Sequence, residues 1–353
     1  MMPPKTAYTF RHHAPMPLTP LKAVERIDMS EALASLPASG AGVKRRDGAT
    51  GDRIFYWIVL GCGLFVLAAL LAAAISMAMG GFLAFRTFGL GFLTGTEWDP
   101  VAEKFSGLVP IYGTLVTSAL AMIIGVPVSL GIAVFITEVA PRSIRGPIGG
   151  AIELLAGIPS IIYGMWGLFT FAPFMSDYLQ PVLIDWLGPI PLIGTLFSGA
   201  PLGIGMLTSG IVLAIMIIPF VSSVMRDVFL VVPAQLKESA YALGSTKWEV
   251  VRDIVIPHTR TAVVGGIFLG LGRALGETMA VTFVLGNTHN IAVSLMEPGT
   301  SIAATLANEF AEASDDLYRS SLAALGLILF VVTFIVLAAA KLMLVRMARQ
   351  RGE

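Results

Sequence analysis

Six long runs of this chain are nearly free of charge, and they decide what it can fold into. They lie near 54–83, 110–137, 148–174, 204–225, 259–287 and 320–346. A helix needs about 20 apolar residues to cross a hydrocarbon core of about 30 Å, and each run is that long. In lipid every backbone N–H and C=O must find its partner inside the protein, so helices and closed barrels are the available structures. The runs are continuously apolar rather than alternating, which selects helices. Composition agrees: 56% of residues are hydrophobic and 13% charged, about half the charge of an ordinary soluble domain. Mean hydropathy is +0.81. The expected fold is an all-α polytopic membrane protein with six transmembrane helices.

Charge gives these helices a direction. With six crossings, one side collects nineteen Lys and Arg, while the loops of the other hold Arg86, Lys104 and Arg319. That bias places both termini in the cytoplasm. The remaining basic residue, Arg273, lies inside the fifth run. Net charge is zero, so nothing global points to nucleic acid or to an acidic partner. Residues 1–50 carry His12, His13, several prolines and the cluster Lys44, Arg45, Arg46. They hold no apolar stretch before a small-residue cleavage site, and read as a disordered cytoplasmic tail ahead of a six-helix transmembrane domain over 51–353. The segment 175–203 is apolar but broken by Pro181, Pro189, Pro191 and Pro201. A seventh crossing there would invert the charge bias, so it reads as an outer-side interfacial or re-entrant segment. Cys62, the single cysteine, is taken as a small core residue of the first run.

Between the fourth and fifth runs lies a cytoplasmic loop, about 226–258. Its part 237–257 reads KESAYALGSTKWEVVRDIVIP. Glu238 to Gly244 suits a short helix ended by a left-handed glycine. A second helix restarts at Lys247, with Trp248, Val251 and Ile254 at helical spacing. Such a knob fits a groove on another protein; the alternative is a connector lying on the membrane. Glu238, Ala240, Gly244, Ile254, Ile256 and Pro257 form E-S-A-x3-G-x9-I-x-I-P, which resembles the EAA loop of ABC-importer permeases. The resemblance implies a coupling helix seated in a cytoplasmic ATPase. No G-x4-G-K-[ST] occurs in the chain, so nucleotide chemistry falls to that partner.

The fifth run holds Arg273 and Glu277. In one helix they are i and i+4, share a face and can pair directly. Either charge alone costs about 2.5–3.5 kcal/mol or more near the bilayer centre. Pairing leaves the arginine fork with donors to spare for an oxyanion. The competing reading is an ion pair that pins this helix to a neighbour. Gly266 with Gly270, and Gly272 with Gly276, form small-xxx-small rows that suit close helix approach across a subunit interface. Glu153, early in the third run, is either a secondary path residue or a structural one.

From about residue 86 to 349 the chain resembles the PstC-type permeases of the bacterial phosphate-specific ABC importer. The stretches that carry this are LVPIYGTLVTS (108–118), IELLAGIPSIIYGMWGLF (152–169), AIMIIPFVSSVMRDVF (214–229), GRALGETMAVTFVLGN (272–287) and LANEFAEA (306–313). The resemblance implies a type I ABC-importer permease fold in the bacterial inner membrane. It also implies a PstA-like second permease, two copies of an ATPase that uses ATP and Mg, and a periplasmic phosphate-binding protein. This chain itself would hold no cofactor, metal or catalytic residue. Arg273 and Glu277 match the family's charged pair implicated in phosphate movement. An importer for sulfate, molybdate or tungstate remains an alternative, because the pair itself does not choose phosphate. An ion-coupled secondary transporter is a further one, against which the EAA loop argues.

Overall fold

The computed structural model describes residues 48–191 and 193–349; the expected tail over 1–50 lies almost wholly outside them. The chain divides into two units, the first ending at Val66. Its described residues open helix α1 (Gly48–Gly80), where every side chain from Ile54 to Val59 is more than half exposed, an apolar surface suited to lipid.

The second unit is all-helical. Besides the short helical pieces Gly91–Thr94, Ala172–Phe174 and Gln180–Leu187, its helices are α2 (Phe82–Phe88), α3 (Leu108–Val134), α4 (Arg142–Ala156), α5 (Ser160–Trp166), α6 (Met206–Leu230), α7 (Ala234–Ala242), α8 (Lys247–Val250), α9 (Ile256–Leu275), α10 (Met279–Leu285), α11 (Ile302–Glu309) and α12 (Asp316–Arg349). Among the described residues, five helical stretches are long and apolar enough to cross a membrane: Thr50–Gly80, Leu108–Val139, Met206–Leu230, Lys247–Leu275 and Asp316–Arg346. A sixth crossing is counted if Arg142–Ala156 and Ser160–Leu187, bent by 88°, form one broken span.

Two expected spans are therefore not continuous. The run 148–174 breaks between α4 and α5, where the Gly157 N–H closes a tight turn onto the Leu154 carbonyl at 3.1 Å. Pro159 follows, with no N–H to continue the ladder. Beyond the break, helical structure extends to Leu187, into the segment from residue 175 expected to be interfacial or re-entrant. The fifth run ends its helix at Leu275 and restarts at Met279.

Proline also explains the widened turns. Four π-helical turns occur among the described residues: Phe135–Val139, Gly167–Phe171, Met175–Leu179 and Val251–Val255. Each has a proline two residues beyond it: Pro141, Pro173, Pro181 and Pro257. A proline ring displaces the carbonyl four residues back; the last three turns absorb this and run on as helix, whereas after Val139 the chain leaves the helix at Ala140, which is extended (ψ 139°).

Helix α6 is the axis of the core, with Leu213, Ala214, Ile217, Val221 and Met225 fully buried. Glycines bring its neighbours in. A Cβ at Gly270 would stand 2.6 Å from Val221, and one at Gly266 3.1 Å from Val224. A Cβ at Gly272 would stand 3.4 Å from Leu337 of α12. Gly266 and Gly270 thus admit α6 and Gly272 admits α12, while Gly276 is exposed and a Cβ there would meet no other element. Far from the basic loops, α3 meets the segment 286–301 at Gly113, where a Cβ would lie 1.9 Å from the Thr300 carbonyl oxygen.

Candidate substrate path and coupling surface

The charged residues of the fifth run sit at the break between α9 and α10. Glycine is a poor helix former, and at Gly276 the backbone leaves helical geometry (φ −94°, ψ 4°). The i, i+4 register on which the expected Arg273–Glu277 pair depended is lost there, and the two side chains form no ion pair. Glu277 turns instead to the new helix, its Oε1 accepting the Ala280 N–H at 3.3 Å. Arg273 lies on the last turn of α9, exposed, with its guanidinium carbon 5.4 Å from the centre of the Phe220 ring, a cation–π contact. Among the described residues no carboxylate holds it in an ion pair, so its five donors remain open.

Other elements close around this break. Gly164 lets α5 pass against α10: a Cβ there would meet the Ala280 Cα and the Met279 carbonyl at 3.0 Å. That contact brings the half-buried Tyr163 within electrostatic reach of Arg273. The far end of α10 is held by backbone, since the Gly205 N–H donates to the Val284 carbonyl at 2.9 Å and the Gly299 N–H to the Leu285 carbonyl at 3.0 Å. A broken helix supported by irregular backbone, with one cation beside the break, is an arrangement by which discontinuous spans form substrate sites.

Glu153 is elsewhere. Its Oε1 accepts from the Arg226 Nη2 at 2.7 Å, and that guanidinium also reaches Asp227 at 3.0 Å. Gly149, one turn before Glu153, makes room for it: a Cβ there would stand 2.7 Å from Nη1. Glu153 thus ties α4 to the end of α6 through Arg226.

The loop 237–257 has the two helices expected of it. Gly244 supplies the left-handed turn (φ +91°), and the Ser245 N–H closes back on the Ala240 carbonyl at 3.1 Å. Thr246 and Glu249 form a reciprocal capping box that starts α8. Ala240, Val250 and Val255 are buried with Val221, Met225 and Phe229 at the end of α6. The opposite face presents Leu243 and Trp248, 89% and 66% exposed. Glu238 is exposed, Ile254 half-buried and Pro257 exposed. The loop is thus anchored on one side and leaves a large apolar tip exposed on the other. Valine at Gly244 should strain the turn by about 1–3 kcal/mol. In a pull-down from solubilised membranes its ATPase recovery should fall, whereas Gly131→Val, with open space around it, should leave recovery unchanged.

A cluster that no sequence spacing signalled joins the opposite end. Glu309 Oε2 accepts from the Trp98 indole at 2.7 Å and from the Tyr318 hydroxyl at 2.8 Å. His289 stacks on Trp98 with rings 10° apart, its Nε2 3.3 Å from Glu309 Oε1 but outside hydrogen-bond geometry. Burial lowers the His289 pKa to about 4, so the imidazole is neutral at pH 7. Burial likewise raises Glu309, against its two hydrogen bonds. A cavity of about 760 Å³ opens beside this cluster, lined in part by Glu97, Asp99, Lys104, His289 and Asn290.

Residues 125–349 match the family model of the binding-protein-dependent transport system inner membrane component. A phosphate transport system permease protein PstC from Xylella fastidiosa is 59% identical over 92% of this chain and 100% of its own length. The chain belongs to the PstC family of binding-protein-dependent permeases. Its counterpart from Mesorhizobium japonicum is 55% identical over 92% of this permease and 99% of its own length. Among solved structures, a chain of a bacterial alginate ABC transporter, in complex with an alginate-bound periplasmic protein, superposes with a TM-score of 0.58. It covers 85% of this permease and 97% of that chain at 19% identity, a likeness of fold alone.

Proposed function

We propose that this chain is the transmembrane permease subunit of an ATP-driven phosphate importer in the bacterial inner membrane. The observation that carries the reading is 59% identity, over 92% of the chain, to a protein named as a phosphate transport system permease. In this reading a PstA-like permease completes the path, and a periplasmic phosphate-binding protein delivers the anion. Two ATPase copies use ATP and Mg, while this chain binds no cofactor or metal and has no catalytic residue. The bent pair at α4 and α5 counts as one of six spans, with both termini in the cytoplasm. That topology keeps Arg142, Arg145, Arg226, Lys237 and Lys247 on one side, as the charge bias requires.

Two regions divide the work. Arg273 meets phosphate at the break between α9 and α10, as a fork of open donors complementary to an oxyanion. Glu277, capping α10, sets where that half-helix starts and so where the path bends. Glu238, Ala240, Gly244, Ile254 and Pro257 shape the loop that seats in the ATPase, with Leu243 and Trp248 as its apolar tip. ATP-driven domain movement would then be felt first at this loop. In cells lacking their own phosphate uptake, co-expression of the four components should restore accumulation of labelled phosphate. Restored sulfate or molybdate uptake in place of phosphate would refute the choice of substrate.

A further inference from the structure

The loop tip explains contact with an ATPase but not how its movement reaches Arg273. One side-chain pair spans that gap. Lys237, on α7 beside Glu238, places its Nζ 2.5 Å from Oε1 of Glu138, with the two side chains 17% and 6% exposed. Glu138 belongs to the widened turn Phe135–Val139 that ends α3. Tyr241, one turn further along α7, faces the same carboxylate; burial first, and Glu138 second, push its phenol pKa up. Charges this enclosed interact strongly and are costly to separate, so α7 and the end of α3 must move together.

Helix α3 carries that tie through the protein. Midway it lies against α9, where the Met122 side chain stands 3.9 Å from the position a Cβ would take at Gly270, three residues before Arg273. At its far end Thr114 Oγ1 accepts the Ile302 N–H at 2.9 Å. Helix α3 is therefore pinned by a buried polar contact at each end, with the Arg273 segment alongside its middle. We propose that Lys237 and Glu138 are the positioning pair through which the docking loop displaces α3 and, with it, the Arg273 segment. This rests on the reading of the loop as the ATPase seat.

The test uses the complete reconstituted importer and reads phosphate imported per ATP hydrolysed, alongside ATPase retention. Removing one charge strands the other, so the informative variant is the double E138Q/K237M, in which neither buried charge is left alone. It should retain its ATPase and its ATP hydrolysis while import per ATP falls roughly tenfold. The swap E138K/K237E should recover most of that loss. An unchanged ratio in E138Q/K237M with assembly intact would overturn the proposal and leave the ATPase seat standing. A swap no better than the double variant would also overturn it, as would loss of the ATPase from E138Q/K237M, since the pair would then build the seat rather than transmit from it. A wild-type complex that retains no ATPase would overturn the seat and the proposal together.

Discussion

Replacing Arg273 with alanine should lower phosphate uptake by at least about a hundredfold while leaving the assembled complex intact. The size of the effect follows from chemistry. An oxyanion passing a low-dielectric bend needs a partner for its charge, and the guanidinium beside the break is the cation placed to give it. Intact assembly follows from structure: Arg273 is exposed and touches the Phe220 ring, and it fastens no helix through an ion pair. Arg273→Lys should fall between the two, retaining charge but losing the planar fork. Uptake assays normalised to complex recovered from the membrane separate these cases. Uptake unchanged in Arg273→Ala would remove this residue from the path.

Replacing Gly113 with alanine should be destabilising by about 3 kcal/mol or more. The new methyl carbon would stand 1.9 Å from the Thr300 carbonyl oxygen, a backbone atom that cannot rotate away. Either α3 or the segment 286–301 must shift, and the Thr114–Ile302 hydrogen bond at 2.9 Å opposes both. Gly131 lies in the same helix with nothing within 4 Å of a Cβ. Alanine there should stabilise by up to about 1 kcal/mol through helix propensity. Thermal unfolding of the two purified variants against wild type measures the contrast, and equal melting temperatures would show that the contact with Thr300 gives way easily.

Much of this architecture is legible in the sequence because hydropathy and charge act locally and additively. Run length identifies the spans, and Gly244 with the helical spacing of Trp248, Val251 and Ile254 foretells both helices of the coupling loop. What escapes are features that averaging hides or that join distant residues. Gly157 and Pro159 break the third run inside an apolar window that reads as one helix. Gly276 does the same to the fifth, and with it goes the direct pairing of Arg273 with Glu277. Nothing local signals that Glu138 will bury its carboxylate against Lys237, because 99 residues separate them. The glycine rows were visible as small residues, but not which surface they would face. Even so, both regions on which the proposed function rests, the cation in the fifth run and the loop at 237–257, can be named from the sequence alone.

The most direct measurement is labelled-phosphate import into liposomes holding this chain, its PstA-like partner and the ATPase. Phosphate should accumulate when ATP is enclosed on the ATPase side and phosphate-loaded binding protein is supplied on the other, and should stop when either is withheld. Accumulation by this chain alone, or without ATP, would contradict an ATP-driven permease.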